Sequence, residues 1–234
     1  MKLDILAFAA HPDDVELAAS GTIAQHVSQG LKCGIIDLTK GELGTRGSVA
    51  LREEEASLAA NILGLSVREN LGMPDGFITN DSDHLMAVIK KIRKYQPDIV
   101  LCNAVSDRHT DHGKAAILVA EACFLSGLVK IETGSYPAWR PKVVYHYIQD
   151  YYIKPDVIID ITNTFDTKMK SIKAYASQFH SEGSKEPETP ISRQDFLPFI
   201  EARAREMGRL IGCTYGEGFT VRRPVGAALL TTLI

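Results

Sequence analysis

The chain predicts an α/β fold in which a mostly parallel sheet is covered by helices on both faces. Three observations carry that expectation. Short apolar runs alternate with helix-compatible stretches along most of the 234 residues. Most successive apolar runs are separated by stretches long enough for helical crossovers. Glycines, prolines and capping residues fall at the junctions.

Each element has its own signal. Residues 3–10 read as a buried strand, and the helical pattern over 16–29 stops at Gly30. Residues 33–38 are a second apolar strand. Ser48 can cap a helix reaching residues 61–63, with charges at 52–55 and Gly64 behind it. A third strand over 67–71 ends in the turn sequence Met73-Pro74-Asp75-Gly76. Asp81 to Asp83 start a helix through Lys94, which Pro97 breaks before a strand over 98–103. The next helix runs from about Asp111 to Ser126 and Gly127, followed by strands over 143–147 and 157–161 and a helix over 166–178. Residues 180–191, HSEGSKEPETPI, are polar and proline-containing and read as a loop. Ser192 with Asp195 three positions on resembles a capping box for a helix toward Leu210, and a β-like tail follows. No repeat or long linker divides the chain, so residues 1–234 are expected to form a single domain.

Composition narrows the function classes. A hydrophobic fraction of 45% with 24% charged residues suits a globular protein. A net charge of −3 argues against broad electrostatic binding to nucleic acid. The apolar runs are too short to span a bilayer, and no signal-peptide pattern is read at the N-terminus. Cys33, Cys102, Cys123 and Cys213 are scattered without a C-x-x-C, which suggests reduced thiols and a cytoplasmic setting.

Two clusters carry chemistry. The first, His11-Pro12-Asp13-Asp14, follows the first strand. The second, Asp107-Arg108-His109-Thr110-Asp111-His112, follows the strand over 98–103. In parallel sheets ligands sit beyond the carboxyl ends of strands where strand order reverses, so the two clusters can meet. His11, Asp14 and His112 supply two imidazoles and a carboxylate, a ligand set suited to a catalytic zinc with an open position. Asp13 is then free to act as base on a water, and His109 to face a developing oxyanion, with Asp111 orienting His109 and favouring its charged form. The plain alternative is that Asp13 or Asp14 caps the following helix. His26, His84, His146 and His180 are read as structural. Glu16 stays unplaced between a helix-dipole role and a hydrogen bond to a ligand histidine.

The segments AHPDDVE and RHTDH resemble the two signatures of the PIG-L/LmbE-type zinc deacetylases, which act on N-acetylglucosamine-containing substrates. Residues 37–65 are similar to that family's second strand, glycine-containing loop and Arg-x-x-Glu helix start. SGTIAQHVSQG, AYASQF and YGEGF look especially like bacillithiol-biosynthesis deacetylases, whose substrate is N-acetylglucosaminyl-malate. The resemblance implies a three-layer α/β/α Rossmann-like fold, Zn2+ or another divalent ion such as Fe2+ on His11, Asp14 and His112, a small glycoside substrate and a homo-oligomer. It makes Asp13 the general base and protonated His109, supported by Asp111, the electrostatic or acid residue. Some relatives carry a tyrosine where this chain has Asp107, so no tyrosine acid is expected.

Arg52 is the expected binder of sugar hydroxyls or the aglycone, against a surface ion pair with one of Glu53–Glu55. Arg108 and Arg140 are candidates for malate carboxylates. Thr45 and Arg46 are candidates to line the pocket, although Gly41, Gly44 and Gly47 around them can equally serve a tight loop. Two rival readings stand beside this one. One is a nucleotide-binding protein using that glycine loop as an anion nest, without any G-x-G-x-x-G after the first strand. The other is a metal- or sugar-binding module without catalysis.

Overall fold

The computed structural model describes residues 1–180, 183 and 185–229. Its elements, in chain order, are β1 (Ile5–Ala9), α1 (Asp14–Ser28), β2 (Cys33–Thr39), α2 (Val49–Leu63), β3 (Val67–Met73), α3 (Ser82–Tyr95) and β4 (Ile99–Cys102). They continue with α4 (Thr110–Leu125), β5 (Val143–Tyr147), β6 (Val157–Asp160), α5 (Phe165–Lys173), α6 (Phe196–Leu210) and β7 (Gly216–Val221). The sheet order is β3-β2-β1-β4-β5-β7-β6. The first five strands pair in parallel, whereas β7 lies antiparallel between β5 and β6.

Strand alternation sorts β1 between two apolar layers. Leu6 and Phe8 join the cluster under α3 and α4, while Ile5, Ala7 and Ala9 join the one under α1. Local signals set the helix ends as the sequence leads one to expect. Ser48 Oγ accepts the Leu51 amide and left-handed Gly64 closes α2. Asp81 accepts the Asp83 and His84 amides at the start of α3. Cys33, Cys102 and Cys123 are buried and unbridged, and Cys213 is partly exposed. No described helix is long and apolar enough to cross a membrane.

Two local expectations fail. The helix expected to Gln178 ends at Lys173. Tyr175 turns inward, its hydroxyl meeting Arg68 and Glu16, and the Ser177 amide is taken by Glu55. Ser192 does not cap α6: Thr189 N donates to its Oγ, and α6 begins after Asp195 without a side-chain cap. Residues 181, 182 and 184 of the expected loop lie outside the described residues. The described part from 185 to 191 has neither helix nor strand.

A buried ion pair ties the antiparallel end of the sheet to α1. Lys168, on α5, donates to Glu217 Oε1 at 2.6 Å and to the Leu17 carbonyl at 2.9 Å. Glu217, on β7, accepts the Gly21 and Thr22 amides at 3.0 and 2.7 Å, in the middle of α1. Both side chains are almost completely buried. With a third bond from Lys168 to the Glu16 carbonyl at 3.3 Å, every oxygen and proton in the pair has a partner, the condition under which a buried ion pair is tolerated. Gly21 is required here, because a Cβ would stand 2.7 Å from Ile161 Cδ1.

Candidate active site

Strand order reverses between β1 and β4, and both chemical clusters follow these two strands. Asn103, immediately after β4, locks the two exits together. Its Oδ1 accepts the Ala10 amide at 2.8 Å and its Nδ2 donates to Asp14 Oδ2 at 2.9 Å. Gln149, just beyond β5, donates to Asp14 Oδ1 at 2.6 Å, and the His11 amide donates to Oδ2 at 2.9 Å. Three donors therefore fix the orientation of one carboxylate.

The two flanking imidazoles converge on it. His11 Nδ1 lies 3.5 Å from Asp14 Oδ2, and His112 Nε2 lies 3.1 Å from Asp14 Oδ1. Each ring is backed on its far nitrogen by another carboxylate: His11 Nε2 by Asp75 at 3.0 Å, His112 Nδ1 by Asp107 at 2.7 Å. A backing carboxylate holds the far N–H, so that the near nitrogen offers its lone pair once a cation displaces its proton, the arrangement found around metal-ligating histidines. The donor set of His11, Asp14 and His112 therefore fits a divalent cation such as zinc, and as an N/O set it also accepts iron. The groups whose ligand atoms all lie within 4.8 Å of one another among the described residues are His11, His109 and His112, and His11, Asp75 and Asp111; Asp14 is in neither. Burial opposes charge on His11 and His112, yet the surrounding carboxylates outweigh it, raising His11 well above its ordinary value and His112 to about 9. So strongly anionic a surrounding favours a cation.

Asp13 stands apart from this set. It caps α1 by position alone, with no side-chain cap bond, at φ 117° and ψ −22°. Left-handed backbone at a non-glycine residue is strained. Burial pushes its carboxyl up to about 7 against the pull of Arg52, whose Nη1 is 3.9 Å from Oδ2. Asp13 is thus a buried carboxyl poised near neutrality, as a general base is.

His109 caps α4, its Nδ1 accepting the Asp111 amide at 3.3 Å. Accepting at Nδ1 puts the proton of the neutral ring on Nε2. Burial, then the nearby His11 and His112, push its pKa below the ordinary value. The Asp111 carboxylate favours the charged ring but is outweighed, and the orienting role expected of it is corrected. That carboxylate points elsewhere: Oδ2 accepts the Gly76 amide at 2.7 Å and faces His11 Nε2 at 3.6 Å, and Oδ1 meets Lys114. The backbone of Asp111, not its side chain, orients His109.

A cavity of about 290 Å³ opens over the three histidines, lined also by Asp13, Thr45, Arg52, Asp75, Arg108 and Gln178. A larger cleft of about 410 Å³ between α2 and β3 contains none of the histidines. Arg52 is buried, donates to the Pro12 carbonyl at 3.3 Å and packs against Gly41, where a Cβ would stand 2.9 Å from Nη1. The helix ion pair with Glu53–Glu55 does not form, since Glu55 instead accepts from Ser177 N and Oγ. Arg46 is buried away from the cavity. It donates to the Ser177, Pro187 and Phe179 carbonyls and holds its own loop to the segment beyond α5. Arg108 reaches the cavity with its guanidinium engaged by Asp150. Arg140 lies at the far end of α4, donating to the Phe124 carbonyl and packing on that ring, outside the cavity lining.

The glycine loop forms no anion nest. The Gly41 amide goes to Thr39 Oγ1, Gly44 to the Gly41 carbonyl and Gly47 to Glu186. Glu16 lies in the first turn of α1, one of the two places the sequence offered, and makes no bond to a ligand histidine. Arg68 joins it to Asp37, and Tyr175 donates to it. Asp75, Asn103 and Gln149 belong to the site without having been singled out from sequence. Asp75 was legible only as a turn residue, and the two amides follow strands as solitary polar residues.

Comparison with known proteins supplies relatives. A family model described as PIG-L, GlcNAc-PI de-N-acetylase, matches residues 6–123. The diacetylchitobiose deacetylase of Thermococcus kodakarensis is 27% identical, over 92% of this chain and 81% of its own. The 4-oxalmesaconate hydratase of Pseudomonas putida is 31% identical, over 75% of this chain and 74% of its own. A probable N-acetyl-alpha-D-glucosaminyl L-malate deacetylase of Bacillus anthracis is 28% identical, over 75% of this chain and 81% of its own. The solved structure of a conserved protein from Thermus thermophilus matches at TM-score 0.88 and 32% identity, covering 97% of this chain and 98% of that one.

Proposed function

The chain belongs to the PIG-L family, and from that premise we propose that it is a metal-dependent hydrolase removing the acetyl group from an N-acetylglucosamine conjugate. The observation that carries this reading is Asp13. A buried carboxyl near pKa 7 stands beside a donor set fit for a metal, yet takes no hydrogen bond from a described residue.

A divalent ion on His11, Asp14 and His112 would supply Lewis-acid activation of water and of the amide carbonyl. The chain does the rest. Asp13 accepts the proton of the attacking water. His109 donates Nε2–H to the oxyanion that develops on the acetyl carbonyl oxygen. Asp13 then returns its proton to the departing amine. Arg52 holds the Asp13 turn through the Pro12 carbonyl. The amides of Asn103 and Gln149 keep Asp14 aimed between the two imidazoles. Replacing Gln149 by leucine is expected to weaken zinc binding about 10- to 100-fold. Competition against a chelator of known affinity measures this, and unchanged affinity would remove Gln149 from the support.

The malate conjugate is the finer form of this reading. Its support is the matching segments and the Bacillus anthracis relative. The arginines offered for its carboxylates support it little, because Arg108 is paired and Arg140 lies outside the cavity. The hydratase relative motivates a second reading, in which the same activated water adds to a carbon–carbon double bond. The test is to incubate zinc-loaded protein with N-acetylglucosamine conjugates and with 4-oxalmesaconate, following acetate release and diene absorbance. Acetate release is the expected result. Hydration without acetate release would overturn the proposal.

A further inference from the structure

A second cavity of about 320 Å³ adjoins the one over the histidines, and the two share Arg108, Pro190 and Ile191. Its other walls are Asp150, Arg193 and Asp195, with Phe196 and Phe199 from the first turns of α6. A group attached to the sugar being deacetylated has this space to enter.

The chemistry of the walls says what kind of group fits. Arg108 is bonded to Asp150, and Arg193 Nε stands 3.6 Å from Asp195 Oδ1. The lining itself holds two cations and two anions, and Arg203 beside it is engaged by the Asp150 carbonyl at 2.9 Å, so among the described residues a dianionic group would meet two carboxylates and no uncommitted cation. Phe199 remains 44% exposed. The Arg203 guanidinium packs over its ring at 4.6 Å from the centroid, and the ring lines the cavity. Phe196 lies at 6.4 Å and 34° from Phe199, and stacks on Phe179 at 5.9 Å on its other flank. A fixed aromatic face beside paired polar groups suits a ligand with a flat C–H surface and hydroxyls at its edge.

We propose that this cavity is the subsite for the group joined to the acetylated sugar, that the group is a neutral sugar ring, and that Phe199 is its platform. The inference rests on the deacetylase reading and adds to it the class of aglycone. The substrate is then a disaccharide-like conjugate rather than an acidic one.

The test compares N-acetylglucosamine, N,N'-diacetylchitobiose and N-acetylglucosaminyl-malate as substrates of the zinc-loaded wild type, Phe199→Ala and Phe199→Trp. Calorimetry of diacetylchitobiose binding to Asp13→Asn, with and without Phe199→Ala, runs in parallel. Phe199 is exposed on a helix, so both replacements are expected to fold, and a thermal melt checks this. The expected result is that the disaccharide is the best substrate. Phe199→Ala lowers its kcat/KM about 3- to 10-fold, mainly through KM, leaves the monosaccharide unchanged, and is rescued by tryptophan. A preference for the malate conjugate, or an equal loss on mono- and disaccharide, would overturn the subsite. Phe199-dependent binding without acetate release from any substrate would uphold the subsite and overturn the deacetylase reading instead.

Discussion

Asp13→Asn will keep the fold and the metal ligands but cut acetate release by about 100- to 10,000-fold, the range that positioned proton transfer contributes. Asparagine preserves shape and tolerates left-handed backbone, so the loss isolates the proton acceptor. Turnover within a few-fold of wild type, with zinc content unchanged, would remove Asp13 from the mechanism. Glycine and alanine at the same position separate chemistry from strain. Both delete the carboxyl and both will be inactive. Yet at φ 117° the alanine Cβ still meets the backbone, whereas glycine is at ease. The glycine variant should therefore be more stable than the alanine variant by about 1 kcal/mol, the reverse of their order in ordinary backbone. Denaturant melts of the pair decide it. Equal stability would mean that the turn carries no stored strain, and the view of Asp13 as held in place by it would fall.

The largest loss of stability is expected at Lys168. Lys168→Met keeps the volume but leaves Glu217 buried with two α1 amides and no cation. Breaking one partner of a buried pair costs about 3–5 kcal/mol. That is a large share of the roughly 5–15 kcal/mol by which a protein is stable. Lys168→Met with Glu217→Gln should recover part of the loss, because the stranded charge disappears while an oxygen still accepts one amide. Urea melts of the single and double variants measure the coupling. A single variant that costs under about 1 kcal/mol would show the pair to be dispensable.

Much of the frame could be read from the chain because its signals are local. Gly30, Ser48, Gly64, Asp81 and Pro97 each stop or start an element through their own backbone chemistry. The two histidine-aspartate clusters were legible because acids and imidazoles crowded after apolar strands have few plain explanations. What escaped the sequence is set by contacts between distant segments. Asp75 looks like any turn residue until β3 brings it to His11. Asn103 and Gln149 show neither periodicity nor clustering. Ser192 has the right spacing for a capping box but is taken by Thr189, and the helix to Gln178 is cut short by Tyr175 turning toward Arg68. Arg46 and Arg108 were near the right place, but their guanidinium groups were already spoken for by carbonyls and by Asp150. Lys168 and Glu217 were not singled out, since nothing nearby in the sequence shows that each is buried against the other.

The position of β7 has a consequence for how the molecule is made. Among the described residues β6 hydrogen-bonds only to β7, and β7 is synthesised after α5 and α6. While the chain is still emerging from the ribosome, β1 to β5 can assemble in the order in which they appear, and His11, Asp14 and His112 with them. β6 has no neighbour until Gly216–Val221 arrive, and Lys168 waits for Glu217 over the same interval. Until then the nascent protein carries an unpaired strand and an unpaired cation, which makes this interval the period in which a chaperone has most to protect.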